Sequence, residues 1–242
     1  MIKHNFIFFI LVSQLTLSAQ FSTGIYGGIN HGAFKGEGVS DAVSNGFTHT
    51  STSNFCFGIR SIMPLHLETN GFDFKGIGFE AGVSQRAGEF KIEQQENGIN
   101  LGNESSFKYT YIDIGLDHLI TFQIAKKFSL NLINGIYFSP AITGKFRSNW
   151  YAENLPSGLE LEDILNNIGE KKETERNLLD ANKDERKSFD LGLRSGIGVN
   201  LGKISLRALY HLGLTDITGR HREQFYNRFW SFNVSYAFRR SY

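Results

Sequence analysis

Large apolar residues alternate with small or polar ones along the last stretch of the chain. The apolar set is Trp230, Phe232, Val234, Tyr236 and Phe238, and serine, asparagine and alanine lie between them. Successive side chains of a β-strand point to opposite faces, so this period of two predicts a strand with one apolar and one polar face. The polar face carries small residues, which suit a crowded interior better than open solvent.

The same alternation occurs in seven further segments of the chain. Each has isoleucine, leucine, valine or phenylalanine on one face and glycine, serine or charged residues on the other. The pattern therefore predicts eight strands, at residues 21–30, 54–63, 76–90, 109–122, 128–139, 189–201, 204–214 and 230–238.

The connections between the predicted strands alternate in length. Those after the second, fourth and sixth strands are short, and two of them are the sequences AKK (125–127) and GK (202–203). The others are longer, and the third long one covers residues 146–188, with the flanking strands expected to end before it. Membrane barrels have short turns at one rim and long loops at the other, whereas a soluble sandwich has no reason for this bias.

Charged residues of the predicted strands fall on the polar faces. Strands can cross a membrane only as a closed barrel, and the interior of eight strands is narrow enough for side chains to fill. We therefore predict an all-β fold: an eight-stranded antiparallel up-and-down transmembrane β-barrel with short periplasmic turns, long extracellular loops and a lumen that is not an open pore. In this lumen four arginines are expected to pair with four acids, and these residues are Arg60, Arg86, Arg194, Arg207, Glu80, Asp113, Asp117 and Asp190.

The N-terminus, MIKHNFIFFILVSQLTLSAQ, has the pattern of a cleaved export signal. Lys3 precedes an apolar run from Phe6 to Val12, and Leu17-Ser18-Ala19 forms a small-residue cleavage site. The run falls short of the ~20 residues that a spanning helix needs. We expect residues 1–19 to be a signal peptide and residues 20–242 to form one barrel domain, exported to the outer membrane.

Composition excludes several function classes. Without residues 1–19 the chain has 24 basic and 24 acidic residues, a balance that gives no argument for binding nucleic acid. The single Cys56 excludes an internal disulfide framework and argues against a metal site. We expect no cofactor.

Four stretches carry a resemblance to a known family. They are the signal ending SAQ, the first strand GIYGGINHGAF, the hairpin YTYIDIGLDHLITFQIAKKFSLNLINGIYFSPAI and the closing strand of alternating aromatics. On these stretches the chain resembles the PorT-like outer-membrane β-barrel proteins of Bacteroidota. The resemblance implies an outer-membrane address, and some members of that family are associated with protein secretion and gliding.

Two short motifs suggest chemistry that the rest of the sequence does not support. The adjacent residues Asp117 and His118 are of types that a lipid-modifying enzyme could use. The predicted register, however, places His118 on the outward face, away from Asp117. In addition, no pair of nucleophile and base has a third supporting residue at a recognisable spacing. Residues 180–186, DANKDER, have acids at the spacing of a calcium loop without its glycine or its final glutamate. We predict neither catalysis nor calcium binding.

We expect the protein to work through its loops as a structural or interaction barrel, with a partner protein at residues 146–188. Leu159, Leu161, Ile164, Leu165 and Ile168 of this segment fit either a short helix or a loosely ordered loop. Further expected partners are outer-membrane lipid and the barrel-insertion machinery, which would recognise the closing strand at Phe238 or Tyr242. The alternative, a soluble lipocalin-like barrel for a small apolar ligand, requires an apolar interior.

Overall fold

The computed structural model describes residues 21–63, 67–69, 72–96, 98–179, 189–217 and 224–238. The predicted signal peptide, the calcium-like segment 180–186 and Tyr242 lie outside the described residues. No helix among the described residues is long and apolar enough to cross a membrane.

The described chain is almost entirely strand. The elements in chain order are β1 (Ser22–Lys35), α1 (Glu37–Ser44), β2 (Thr48–Met63), β3 (Leu67–Thr69), β4 (Phe72–Glu96), β5 (Ile99–Ala125), β6 (Phe128–Glu153), α2 (Leu161–Ile168), β7 (Glu173–Asn177), β8 (Phe189–Leu201), β9 (Ile204–Gly213) and β10 (Tyr226–Ala237).

Eight of these strands close into an antiparallel ring. The order is β1, β2, β4, β5, β6, β8, β9 and β10, and β10 pairs with β1 to complete it. The short strands β3 and β7 lie outside the ring, where β3 pairs with β4 and β7 pairs with β6. The predicted eight-stranded up-and-down barrel is confirmed, and closure leaves no unpaired edge within the wall.

Alternation along each strand separates an apolar outer face from a polar lumen. On the closing strand, the predicted lipid-facing residues have between 45 and 56 % of their surface exposed, whereas Ser231 and Asn233 are buried. The five residues on the outer face are Trp230, Phe232, Val234, Tyr236 and Phe238.

The two ends of the barrel differ as the connection lengths predict. At one rim, which we call the turn end, residues 126–127 join β5 to β6 and residues 202–203 join β8 to β9. Gly202 has φ 60°, a left-handed conformation that glycine adopts without steric cost. The other rim, the loop end, carries α1, α2 and the longer connections.

The strands at the loop end are longer than predicted. β4 runs on to Glu96 and β5 begins at Ile99, so the expected third-to-fourth loop is a hairpin. The expectation that the flanking strand ends before residue 146 is also wrong, because β6 continues to Glu153 and β7 pairs with it. In β5, Glu104, Ser105 and Ser106 put polar side chains on both faces, so the hydrophobic alternation is lost there although the backbone ladder continues.

Candidate functional site

The lumen holds a cluster of buried charges near the loop end, centred on Arg86. Its guanidinium donates to Asp190 at 2.7 Å and to Asp113 at 2.5 Å. Tyr137 and Asn227 also donate to Asp190, each at 3.0 Å. Each acid therefore has donors from several strands, and the cluster ties the wall together across the lumen.

A second cluster lies nearer the turn end. Arg207 donates to Glu80 at 2.8 Å, and Arg194 donates to Asp117 at 2.7 Å. Arg194 also lies 3.5 Å from Glu80, so the two acids and two arginines form one network. All four side chains are almost fully buried, which makes the pairing essential because an unpaired charge would be costly there.

Arg60 stands apart from the pairing that we expected for all four lumen arginines. It is only 5 % exposed, yet its side-chain atoms Nε and Nη2 have no hydrogen-bond partner among the described residues. Its backbone lies opposite Glu80 on the neighbouring strand, but the Glu80 carboxylate is turned to Arg207 and Arg194. The strand register therefore places the backbones of Arg60 and Glu80 side by side, but their side chains do not form an ion pair.

Apolar layers close the lumen on both sides of the charges. Towards the turn end, Leu119, Ile133 and Leu209 pack together with Ile62. Towards the loop end lies a larger layer, the plug, to which α1 and the segments after β7 and β9 contribute. The buried residues of the plug are Phe34, Val39, Phe90, Tyr109, Tyr111, Leu178 and Ile217.

Little free volume remains between these layers. A cavity lined by Tyr26, Glu80, Arg86 and Arg194, among others, has a volume of about 10 Å³. This is room for a single water molecule. The described side chains therefore fill the lumen rather than line a channel.

A sheet extends beyond the apolar band at the loop end. This loop-end sheet consists of residues 88–96 of β4, 99–108 of β5, 143–153 of β6 and the whole of β7, and residues 48–51 of β2 pair with its β4 edge. Its outer face is exposed and charged, with side chains of both signs at Glu89, Lys91, Glu93, Glu104, Lys108, Lys145 and Arg147.

Ion pairs cross the strands of the loop-end sheet. Lys91 lies 2.8 Å from Glu93 and 3.2 Å from Glu104, and Tyr151 donates to Glu93 at 2.8 Å. The hydrogen bonds from Lys91 and Tyr151 hold the pKa of the Glu93 carboxyl below its usual value. These groups are exposed, so each pair contributes little to stability but fixes the charge pattern of the surface.

A family model described as "Outer membrane protein beta-barrel domain" matches residues 12–219. The chain belongs to this family. The match covers most of the ring and gives the protein an outer-membrane location, in which the apolar outer face meets lipid. In sequence, no curated protein matches the chain significantly.

Solved structures of similar fold include two of Ail, the attachment invasion locus protein of Yersinia pestis. One shows Ail by itself and the other shows it with the heparin analogue sucrose octasulfate. Both are 14 % identical to this chain and cover 90 % of it, and the match takes in 98 and 99 % of the Ail chains, with TM-scores of 0.37 and 0.38. Likeness at this level carries no argument about the role of this outer-membrane barrel.

The wall of the outer-membrane barrel separates Asp117 from His118. Asp117 is buried in the lumen network, and His118 lies on the outward face of β5. Within the described ranges no group of three His, Cys, Asp or Glu side chains could hold a metal ion. Because their side chains lie on opposite faces of the wall, Asp117 and His118 cannot act together in acyl transfer.

The prediction from the sequence considered only charged residues, and it therefore missed the uncharged members of the lumen network. Tyr137, Ser139 and Asn227 bond to its charged groups, and all three occupy inward positions that alternation assigns to the lumen. An inventory of every inward polar residue would have found them. The contribution of α1, Leu178 and Ile217 to the plug has no comparable signal, because these residues lie outside the barrel strands.

Proposed function

We propose that this protein is a non-enzymatic interaction barrel that binds partner proteins through its loop-end sheet. The observation that carries the proposal is the unequal length of the strands. β4, β5 and β6 have 25, 27 and 26 residues, whereas β8, β9 and β10 have 13, 10 and 12. A tilted strand crosses a membrane with about 9–11 residues, so the excess serves the surface outside it.

Within the expected partner surface at residues 146–188, the described residues 146–179 include regular secondary structure. Residues 146–153 continue β6, Glu173–Asn177 form β7, and α2 begins with reciprocal capping bonds between Glu160 and Asp163. A surface held by a backbone ladder loses less conformational entropy on binding than a free loop. It is therefore better suited to a specific contact.

The outer edge of β7 is an unpaired edge of this sheet within the described part of the chain. β7 pairs with β6, and no other strand among the described residues pairs with it. Trp150 donates its backbone N–H to Lys172, and Leu178 donates to Gly144. In an antiparallel ladder bonded residues alternate, so the backbone N–H and C=O of Glu175 point away from β6. An extended segment of a partner can add to this edge.

Two alternative roles fit the molecule less well. A lipocalin-like carrier needs an apolar interior, whereas this lumen is filled by paired charges between apolar layers. A lipid-modifying enzyme needs grouped catalytic side chains, and Asp117 and His118 lie on opposite faces of the wall. The resemblance to PorT-like barrels, some of which are associated with secretion and gliding, is compatible with a contact role at the cell surface.

The test compares Glu175→Pro with Glu175→Ala in the mature barrel reconstituted in lipid nanodiscs. Both variants lose the carboxylate that faces Lys145 and Arg147. The proline variant also loses the outward N–H, while the β6 ladder uses the neighbouring residues. We expect Glu175→Ala to retain the proteins captured by the wild type and Glu175→Pro to lose them. Equal capture by the two variants would show that the edge is not the contact.

A further inference from the structure

We propose that the turn end of the lumen contains a binding site for a phosphate-type oxyanion, built around Arg60. Arg60 lies on the inward face of β2, with β1 and β4 on either side. Its Nε and Nη2 atoms are buried and have no hydrogen-bond partner among the described residues. A buried guanidinium without an acceptor is costly, so a ligand that supplies acceptors would be bound favourably.

The acids of the lumen are already engaged by other arginines. Glu80 accepts from Arg207, and Asp117 accepts from Arg194. Moving either carboxylate to Arg60 would leave another buried arginine unpaired. Neither Glu80 nor Asp117 is therefore free to form an ion pair with Arg60.

A cavity of about 50 Å³ lies beside Arg60 at the turn end. Among the described residues no acid lines it, and Lys203 of the β8–β9 turn adds a second positive charge. Polar lining residues include Ser22, Asn200, Ser205 and Ser235. Asn200 already donates to Ser129 and accepts from Ser205, which holds this part of the lining in place.

The chemistry of the lining selects an oxyanion. A guanidinium presents parallel N–H donors that match two oxygens of a phosphate or sulfate group. Lys203 and the hydroxyls of Ser22 and Ser235 can donate to the remaining oxygens. The volume suits one small anion or one lipid phosphate, and because the cavity lies inside the wall, a lipid would have to bend its headgroup into it.

The experiment uses the mature barrel folded in zwitterionic detergent at neutral pH. Sodium phosphate is titrated by calorimetry against sodium chloride of equal ionic strength. We expect saturable binding of one phosphate per chain, weakened by about tenfold or more in Arg60→Met, because the charged hydrogen bonds are lost, and weakened less in Lys203→Met. Lys127→Met, which removes a lysine from the other tight turn, is the matched control and should bind as the wild type does.

A second arm separates the two sources of phosphate. The barrel is placed in phosphatidylcholine nanodiscs with or without phosphatidylglycerol, and the phosphate titration is repeated. Weaker binding of free phosphate in either nanodisc than in phosphate-free zwitterionic detergent would identify a lipid phosphate as the occupant, and binding as tight as in that detergent would identify the free anion. Heat-modifiable gel mobility checks that Arg60→Met folds. If it does not fold, the affinities of Lys203→Met and Lys127→Met are compared instead, because Lys203 is exposed. Absence of saturable binding in the wild type, or equal affinity in Lys203→Met and Lys127→Met, would overturn the proposal.

Discussion

At the scale of single residues, burial decides what each charge contributes. Arg86 and Arg147 are both arginines that pair with carboxylates. Arg86 is 4 % exposed and sits between two acids, with the rings of Tyr111 and Phe229 4.3 and 4.6 Å from its guanidinium carbon. Arg147 is 66 % exposed and lies 3.4 Å from Glu175. The first pair is shielded from water, and the second is screened by it.

The same substitution should therefore have different effects at these two arginines. Arg86→Met leaves Asp113 and Asp190 buried without their partner and should lower the free energy of unfolding by about 3–5 kcal/mol. Arg147→Met, the control, should change it by less than about 1 kcal/mol. Urea unfolding in lipid vesicles, followed by tryptophan fluorescence, measures both. Similar losses in the two variants would mean that the lumen charges are hydrated.

At the residue scale, burial also sets the protonation of His49, which lies on β2 at the loop end, outside the apolar band. Its ring packs against Phe90 with centroids 4.6 Å apart. Burial, followed by the positive charge of Lys35, lowers the pKa of His49 from its usual value. Above about pH 6.5 the ring is neutral whether or not this region is folded, so His49 does not make the stability of the region depend on pH there.

Acidification should therefore loosen the pairing of residues 48–51 with 88–91. As the pH falls below about 6.5 the unfolded ring gains a proton before the folded one does, and the stability of this region decreases until the pH is below the folded pKa. Hydrogen exchange of these strand ends at neutral pH and near pH 5 measures the effect. His49→Phe keeps the ring contact without titrating, and it should abolish the difference. Persistence of the effect in this variant would assign it to another group.

At the scale of the elements, polar side chains interrupt the apolar outer face midway along three neighbouring strands, where His118, Asn134 and Ser195 lie side by side. Ser195 lies midway along β8, with three large apolar outward residues on either side of it along the strand. Its hydroxyl donates to Asn134 on the neighbouring strand at 2.8 Å. Both groups face hydrocarbon, where the amide of Asn134 meets no water, and the interruption should therefore cost stability.

Replacing this pair with apolar residues should stabilise the barrel. The double variant Asn134→Leu with Ser195→Ala should raise the free energy of unfolding in phosphatidylcholine vesicles by about 1–3 kcal/mol. Asn131→Leu on the same strand is the control, because Asn131 faces the lumen and accepts from Thr121 at 2.8 Å, so this change should destabilise. Shifts of the same sign in both variants would contradict the assignment of the two faces.

At the scale of the whole molecule, the described side chains fill the interior of the barrel. The paired charges cross-link opposite walls, and apolar layers cover them on both sides. The plug joins parts of the chain that are far apart in sequence, including Phe34, Val39, Leu178 and Ile217. A barrel filled in this way can serve as a rigid support for the loop-end sheet.

The purified barrel should therefore be electrically silent in planar bilayers. Ions would have to displace the plug and break buried ion pairs, which is costly. Single-channel recording with the folded protein tests this expectation, with detergent alone as the blank. Steady, large conductance from the folded protein would show that the plug opens in the membrane.

The sequence alone determined the eight strands, the face on which each residue lies and the two tight turns. These features are local, because side-chain direction alternates with every residue, and a lipid-facing position such as Phe232 differs in character from its neighbour Asn233. In residues 102–106, the sequence GNESS, small or polar side chains lie on both faces, and the alternation no longer marks a strand. Only the ladder between neighbouring strands shows that β4 and β5 continue there.

Tertiary structure decided which lumen groups meet. Arg60 lies opposite Glu80 in register, yet Glu80 binds Arg207 from a strand on the far side of the ring. Contacts across the lumen depend on the stagger summed over all eight strands, and a period of two in one strand carries no information about it. The same reason applies to the plug, where Val39 and Ile217 meet only because the closed ring brings their loops to one mouth.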